Sequence, residues 1–213
     1  MNFKCSHLAT ALMLSSIALS NAHALVVISS GNTPGGDNVL FNNNPPNGTT
    51  VTGILNTNDM FNVNFESTQV LLGNGGQARV EAVNGNDLNN ICVFLDPGLG
   101  FTQYVGNPFD ATRNSTLTIT VQSVDQFGNI EPQTIGMLSV GNGQNFFTVQ
   151  ALNGELITKI RLTGTDFQDL RQNRIVGAQF LPIPSSNVPE PGSVALLIGM
   201  ATVCSIALRR KRK

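Results

Sequence analysis

The side chains able to do chemistry in the body of this chain are almost all carboxylates and carboxamides. Both histidines, His7 and His23, fall in the first 24 residues. Residues 25–188 therefore hold no imidazole, which removes Ser-His-Asp and Cys-His machinery, the usual general base near neutral pH, and His-ligated zinc. Twelve acids lie between Asp37 and Asp169. A glycosidase needs only two of them, so a carboxylate-dependent secreted hydrolase is the enzymatic reading the composition allows. No motif selects a pair, and the body reads as non-enzymatic, with no catalytic residue assigned.

Two segments carry clustered oxygen ligands of the kind Ca²⁺ takes, 84–90 (Asn-Gly-Asn-Asp-Leu-Asn-Asn) and 125–129 (Asp-Gln-Phe-Gly-Asn). Neither has the acid count or spacing of an EF-hand loop. Asn and Asp also serve turn geometry, so no cofactor is expected and no metal site is assigned, Ca²⁺ being the one ion the composition accommodates. Saccharide sites offer an aromatic face beside polar neighbours. With no Trp and one Tyr in the chain, the best local cluster for ligand contact is Tyr104 with Asn107 and Asp110, next to Gln103.

Cysteine usage adds no staple, despite an oxidising destination. Cys5 sits near the start and Cys204 near the end, leaving Cys92 alone in the body. It lies in the strand-like run Asn90–Leu95 and is expected to be a small buried hydrophobe. Charge is uneven. The whole chain has 12 bases and 13 acids, but Lys4 and the five cations of Arg209–Lys213 flank the body, and Glu190 belongs to the tail. The remaining twelve acids and six bases make the body acidic, near −6, which excludes nucleic acid as a partner.

The elements that must position these residues read as strands. About ten short β-prone runs alternate with Gly, Asn and Pro. Thr116–Val124 alternates cleanly, with Leu117, Ile119 and Val121 on one face, and Leu156–Thr163 repeats this with Ile160 and Leu162. Period two with polar alternates marks half-buried antiparallel strands. Asn153-Gly154 between two such runs predicts a hairpin. Residues 29–48 predict a loop-rich stretch in which only Val39–Phe41 packs. Thr165–Asn173 predicts one short helical turn capped by Thr165. Together these give an all-β fold: an antiparallel, jelly-roll-like β-sandwich spanning residues 25–186.

The two ends read as addresses. Residues 1–24 have the parts of a secretory signal: Lys4, an apolar run from Leu8 to Leu19, and a small-x-small cleavage site at Ala22 and Ala24. That implies the Sec translocon and signal peptidase as partners. Residues 187–213 form a tail: Val188-Pro189-Glu190-Pro191-Gly192-Ser193, an uncharged apolar run over 192–208, and the basic end 209–213. The apolar run has the minimum length for one transmembrane helix, and the cations behind it belong on the cytoplasmic side.

With those residues in place, the tail resembles the PEP-CTERM sorting signal of Gram-negative bacteria. The resemblance implies recognition by an exosortase, a multi-spanning membrane cysteine protease-transpeptidase, with Pro189, Glu190 and Pro191 as the recognition triplet. It implies a transient stay in the inner membrane, tail removal, and delivery to the cell surface or extracellular polysaccharide matrix. No catalytic residue carries over, because the chain would be the substrate. The block Thr163–Gln172 also resembles the closing segment of sandwich domains that precede such tails.

Overall fold

A computed structural model describes residues 25–41, 47–74, 78–112 and 114–183. The leader with Ala22 and Ala24, the triplet Pro189–Pro191, the apolar run and the basic end lie outside them. Among the described residues no helix is long and apolar enough to cross a membrane.

The chain runs through β1 (Val26–Ser30), β2 (Asp37–Leu40), β3 (Asn47–Leu55), β4 (Asn62–Asn74) and β5 (Arg79–Ala82). A 3₁₀ turn at Val83–Gly85 leads into β6 (Leu88–Leu95), β7 (Leu99–Gly100), β8 (Gln103–Phe109) and β9 (Ser115–Val124). The chain ends through β10 (Ile130–Val140), β11 (Phe147–Ala151), β12 (Leu156–Phe167), β13 (Asp169–Val176) and β14 (Gln179–Phe180). The fold is all-β, and the strands pair antiparallel. Twelve of them form one hydrogen-bonded network, while β7 and β14 make a small separate pair.

Two strands organise that network, because each divides one edge between two neighbours. β4 pairs with β3 along one edge; along the other, Val63–Glu66 pair with β6 and Leu71–Asn74 with β5. β13 pairs with β8 on one edge and with β5 and then β2 on the other. The path β13–β2–β3–β4–β5 thus returns to β13 and closes a five-stranded ring. One wing, β6–β12–β9–β10, leaves the ring at β4, and a second, β8–β11–β1, leaves it at β13. The expected pair of separate sheets is instead one continuous sheet curled upon itself, bent by bulges at Thr134/Gly136 and Arg171/Arg174 among others.

The wings share one core. Tyr104, Phe147 and Val149 from one wing and Ile119, Val121, Ile160 and Leu162 from the other belong to a single buried cluster. Each such side chain contributes about 1.5–3 kcal/mol on burial. Leu117, Ile119 and Val121 are buried and the threonines between them are not, as the alternation requires. Cys92 is buried too. The wing tips come together where Ile28 of β1 lies against Gly136 of β10. Inside the ring, the Phe41 ring covers Gly73 so closely that a Cβ there would sit 2.6 Å from it.

One local expectation is overturned and two hold only in part. Thr165–Asn173 is extended, belonging to β12 and β13; cross-strand pairing satisfies backbone groups that a lone helical turn would leave open. Residues 29–48 include β2, whose Val39 is fully buried, as expected for the one part of that stretch predicted to pack. Asn153 and Gly154 do form a tight turn with φ of 56° and 82°, closed by Glu155 N–H donating to Leu152 O at 3.1 Å. The flanking strands then part, β11 joining one wing and β12 the other. The backbone of Phe101 and Thr102 lies between them: Ala151 N–H donates to Thr102 O (2.9 Å), and Phe101 exchanges bonds with Ile157 (3.0 and 2.8 Å).

Candidate functional site

The ligand cluster expected from sequence is built into the protein's seams. Tyr104 on β8 is fully buried, and its hydroxyl donates to Asn173 Oδ1. Asn173 Nδ2 donates in turn to Ala78 O (2.6 Å) and Leu170 O (3.2 Å). The phenol is pushed well above its usual range by burial and stays neutral. A ring with no exposed face cannot stack on a sugar, so Tyr104 is corrected from ligand contact to core. Asn107 accepts from Asn145 N–H at 2.7 Å and donates to Gln172 Oε1 at 3.1 Å. Asp110 accepts from Thr112 N–H (3.0 Å) and from the hydroxyls of Thr112 (3.2 Å) and Ser115 (2.7 Å). Both are buried and staple loops to β8 and β9.

Both Ca²⁺ candidate segments make turn hydrogen bonds. Asp125 Oδ1 accepts from the N–H groups of Phe127 (2.8 Å) and Asn129 (2.9 Å), and Oδ2 from Asn129 Nδ2 (2.8 Å). Desolvation pulls this carboxyl upward, but the bonds from Asn129, Phe127 and Gly128 outweigh it and hold the group below its ordinary value. In 84–90, Asn84 takes a left-handed φ of 63° and Asn86 Nδ2 donates to Val83 O at 3.0 Å. Among the described residues no group of three or more His, Cys, Asp or Glu converges.

One cleft that opens to solvent follows from the fork in β4. Between Glu66, the last partner of β6, and Leu71, the first of β5, one edge of Ser67–Val70 faces the gap left as β5 and β6 diverge. Side chains bridge it. Gln69 Nε2 donates to Asp87 O and its Oε1 accepts from Asn89 N–H at 3.1 Å. Asn90 Oδ1 accepts from Thr68 N–H at 3.2 Å and Asn90 Nδ2 donates to Thr68 Oγ1 at 2.7 Å. Beside these bridges lies an open cleft of about 700 Å³ lined by Gln69, Val70, Asn84, Asn86, Asp87 and Asp166, together with Ala82 and Val83. Asp166, near the end of β12, also borders a smaller cleft with Asn114, Ser115 and Thr165.

Chemically this is a shallow hydrogen-bonding surface. It offers two carboxylates and three carboxamides, with Val70, 51% exposed, as an apolar contact. Its lining contains no nucleophile beside a base. The sequence singles out the segments holding Asn84, Asn86, Asp87 and Asp166, but the first three as Ca²⁺ ligands or turn residues and Asp166 as part of a helical turn in the closing segment. Gln69 carried no signal, since a glutamine within a strand looks like any solvent-facing residue. The chain matches no family model, no curated protein and no solved structure.

Proposed function

We propose that this protein is an exported component of the cell surface or extracellular matrix of a Gram-negative bacterium, with a non-enzymatic structural or interaction role near exopolysaccharide. Its leader is removed by signal peptidase after Sec export. Its tail is held in the inner membrane and then processed by an exosortase. The observation that carries this reading is the order of the tail: Pro-Glu-Pro at 189–191, an uncharged run, then five consecutive cations. The body is compatible with that role, since its fully buried acid Asp110 serves to staple loops. We read the two facing wings as a jelly-roll-like sandwich closed at one end by the ring. The test is the intact mass and C-terminal peptide of the protein from surface and culture fractions of its host. A chain ending near Pro189–Pro191 is expected. One still ending at Lys213 and found only in membranes would leave a simply anchored domain.

The second reading, a carbohydrate-binding module, is favoured by one feature, the amide- and carboxylate-lined cleft at the β4 fork. Such groups suit the hydroxyls of a saccharide. Glycan-array binding lost on Asp166→Asn and retained on Glu131→Gln would support it. Equal loss in both variants, or no binding by the wild type, would rule this cleft out.

A further inference from the structure

The deepest mismatch in the molecule lies where the body begins. Glu155, just after the Asn153-Gly154 turn, is 5% exposed. Its Oε1 accepts from the backbone nitrogen of Leu25 at 2.7 Å. Its Oε2 is buried and finds no hydrogen-bond partner among the described residues. Among the described residues, the charges that shift it are both negative, the carboxylates of Asp125 and Glu131 on the neighbouring hairpin. Desolvation, helped by those acids, pushes Glu155 up against the bond from Leu25 and the nearby Ser123 hydroxyl. A buried carboxylate near two acids, with only the Leu25 N–H and the Ser123 hydroxyl to set against them, is costly to keep charged.

The nitrogen already bound to Glu155 is the one the proposed leader cleavage would change. Hydrolysis of the Ala24–Leu25 peptide bond adds one water: its oxygen completes a carboxylate on Ala24, and the freed Leu25 amine takes up a proton. An amide with one N–H becomes an ammonium with three donors and a full charge. Leu25 is held for this purpose at its other end, where its carbonyl accepts from Leu152 N–H at 2.9 Å and β1 follows at once, Val26 opposite Ala151.

We propose that Glu155 is the receptor for the α-ammonium group generated at Leu25 by leader removal, so that processing supplies the cation which the buried carboxylate lacks. The inference rests on the proposed cleavage after Ala24. It makes the cut a step in completing the fold as well as a release from the membrane, because the uncut chain keeps a neutral amide at this point.

The experiment uses the full exported protein recovered from its host, as wild type and as Glu155→Gln. N-terminal sequencing fixes the first residue. Pulse labelling with an amine-reactive acetylating reagent at pH 7, read by mass spectrometry on the N-terminal peptide, then measures how strongly the amine is held as ammonium. An ordinary α-amino group has a pKa of about 7.7–8.0, and pairing in a buried site raises it. A Leu25 amine labelled at least about ten-fold more slowly in the wild type than in Glu155→Gln is expected, since one pKa unit is ten-fold in free amine. Where the variant cannot be recovered, wild-type protein with its amine acetylated is compared with untreated protein by thermal melting at pH 7, and a lower melting temperature after acetylation is expected. A chain beginning elsewhere than Leu25 overturns both the cleavage reading and this one. A chain beginning at Leu25 with equal labelling rates, or with a melting temperature indifferent to acetylation, overturns this inference alone.

Discussion

The two poles of the molecule each bury an acid, and they treat it differently. At the pole where β5, β8 and β13 meet, Asp169 receives a two-pronged grip from Arg171, at 2.6 and 2.8 Å. Arg79 stands 3.9 Å away and itself bonds Glu81 at 3.0 Å. The Arg171 guanidinium lies 3.7 Å from the centre of the Phe109 ring, adding a cation–π contact. At the opposite pole Glu155 has one backbone N–H and a second oxygen without a partner among the described residues. Asp169 and Arg171 sit two apart on one strand, so they project on the same face. The first acid thus carries its cation in the adjoining sequence. The second depends on a nitrogen 130 positions away.

Removing the well-served acid gives the largest expected effect. Asp169→Ala leaves two guanidinium groups facing each other in a partly buried site, and a loss of about 3 kcal/mol in urea unfolding is expected. Tyr104→Phe is expected to cost about 1–3 kcal/mol, because Asn173 Oδ1 loses its donor in a site without solvent. At the other pole the sign depends on processing. In protein whose N-terminal amine is free, Glu155→Gln is expected to cost about 1.5 kcal/mol, the scale of a hydrogen bond to a charged group.

In protein with that amine blocked, the same change is neutral or stabilising. The sign of the pH dependence follows. A carboxyl whose folded pKa is raised holds its proton more tightly when folded, so the blocked protein loses stability as pH rises above the ordinary 4.5. Melting curves of blocked protein at stepped pH check this. Gly154→Ala, at a φ of 82°, is expected to cost about 1 kcal/mol by the same assay. The smallest effect belongs to half-buried Asp125. Its depressed pKa contributes stability that is present above 3.8 and lost as pH falls through its folded value. Asp125→Ala is expected to flatten that acid limb of the melting profile.

The sequence spoke clearly where a strand has one wet face. Leu117, Ile119 and Val121 alternate with threonines and mark β9 without ambiguity. It spoke poorly where both faces are covered. β8 is buried at nearly every position and contains Gly106 and Pro108, so it lacks alternation and carries two residues that usually punctuate strands. Gly106 is there because the Tyr104 ring lies over it, with a Cβ due 2.8 Å from the hydroxyl oxygen. Tyr104 itself reads as a ligand contact for want of that context. Turn chemistry was legible at both 125–129 and 153–154, and misled only about pairing. A turn fixes a reversal over four residues, whereas the partner of β11 was decided by Phe101 and Thr102, some fifty residues earlier. The cleft was invisible for a similar reason. It arises from the fork in β4, which is a property of the pairing pattern and not of any short segment.

The closed ring has a consequence in time. β2 pairs early with β3, but its other edge must wait for β13, and β1 must wait for β11, so the ring stays open until nearly the last strand has emerged. Pairings this distant in sequence make folding slow, on the order of milliseconds to seconds. For a chain that crosses a membrane as proposed, that delay is an advantage: the polypeptide stays threadable while it is pulled through, and the ring can shut only when almost the whole body has reached the far side.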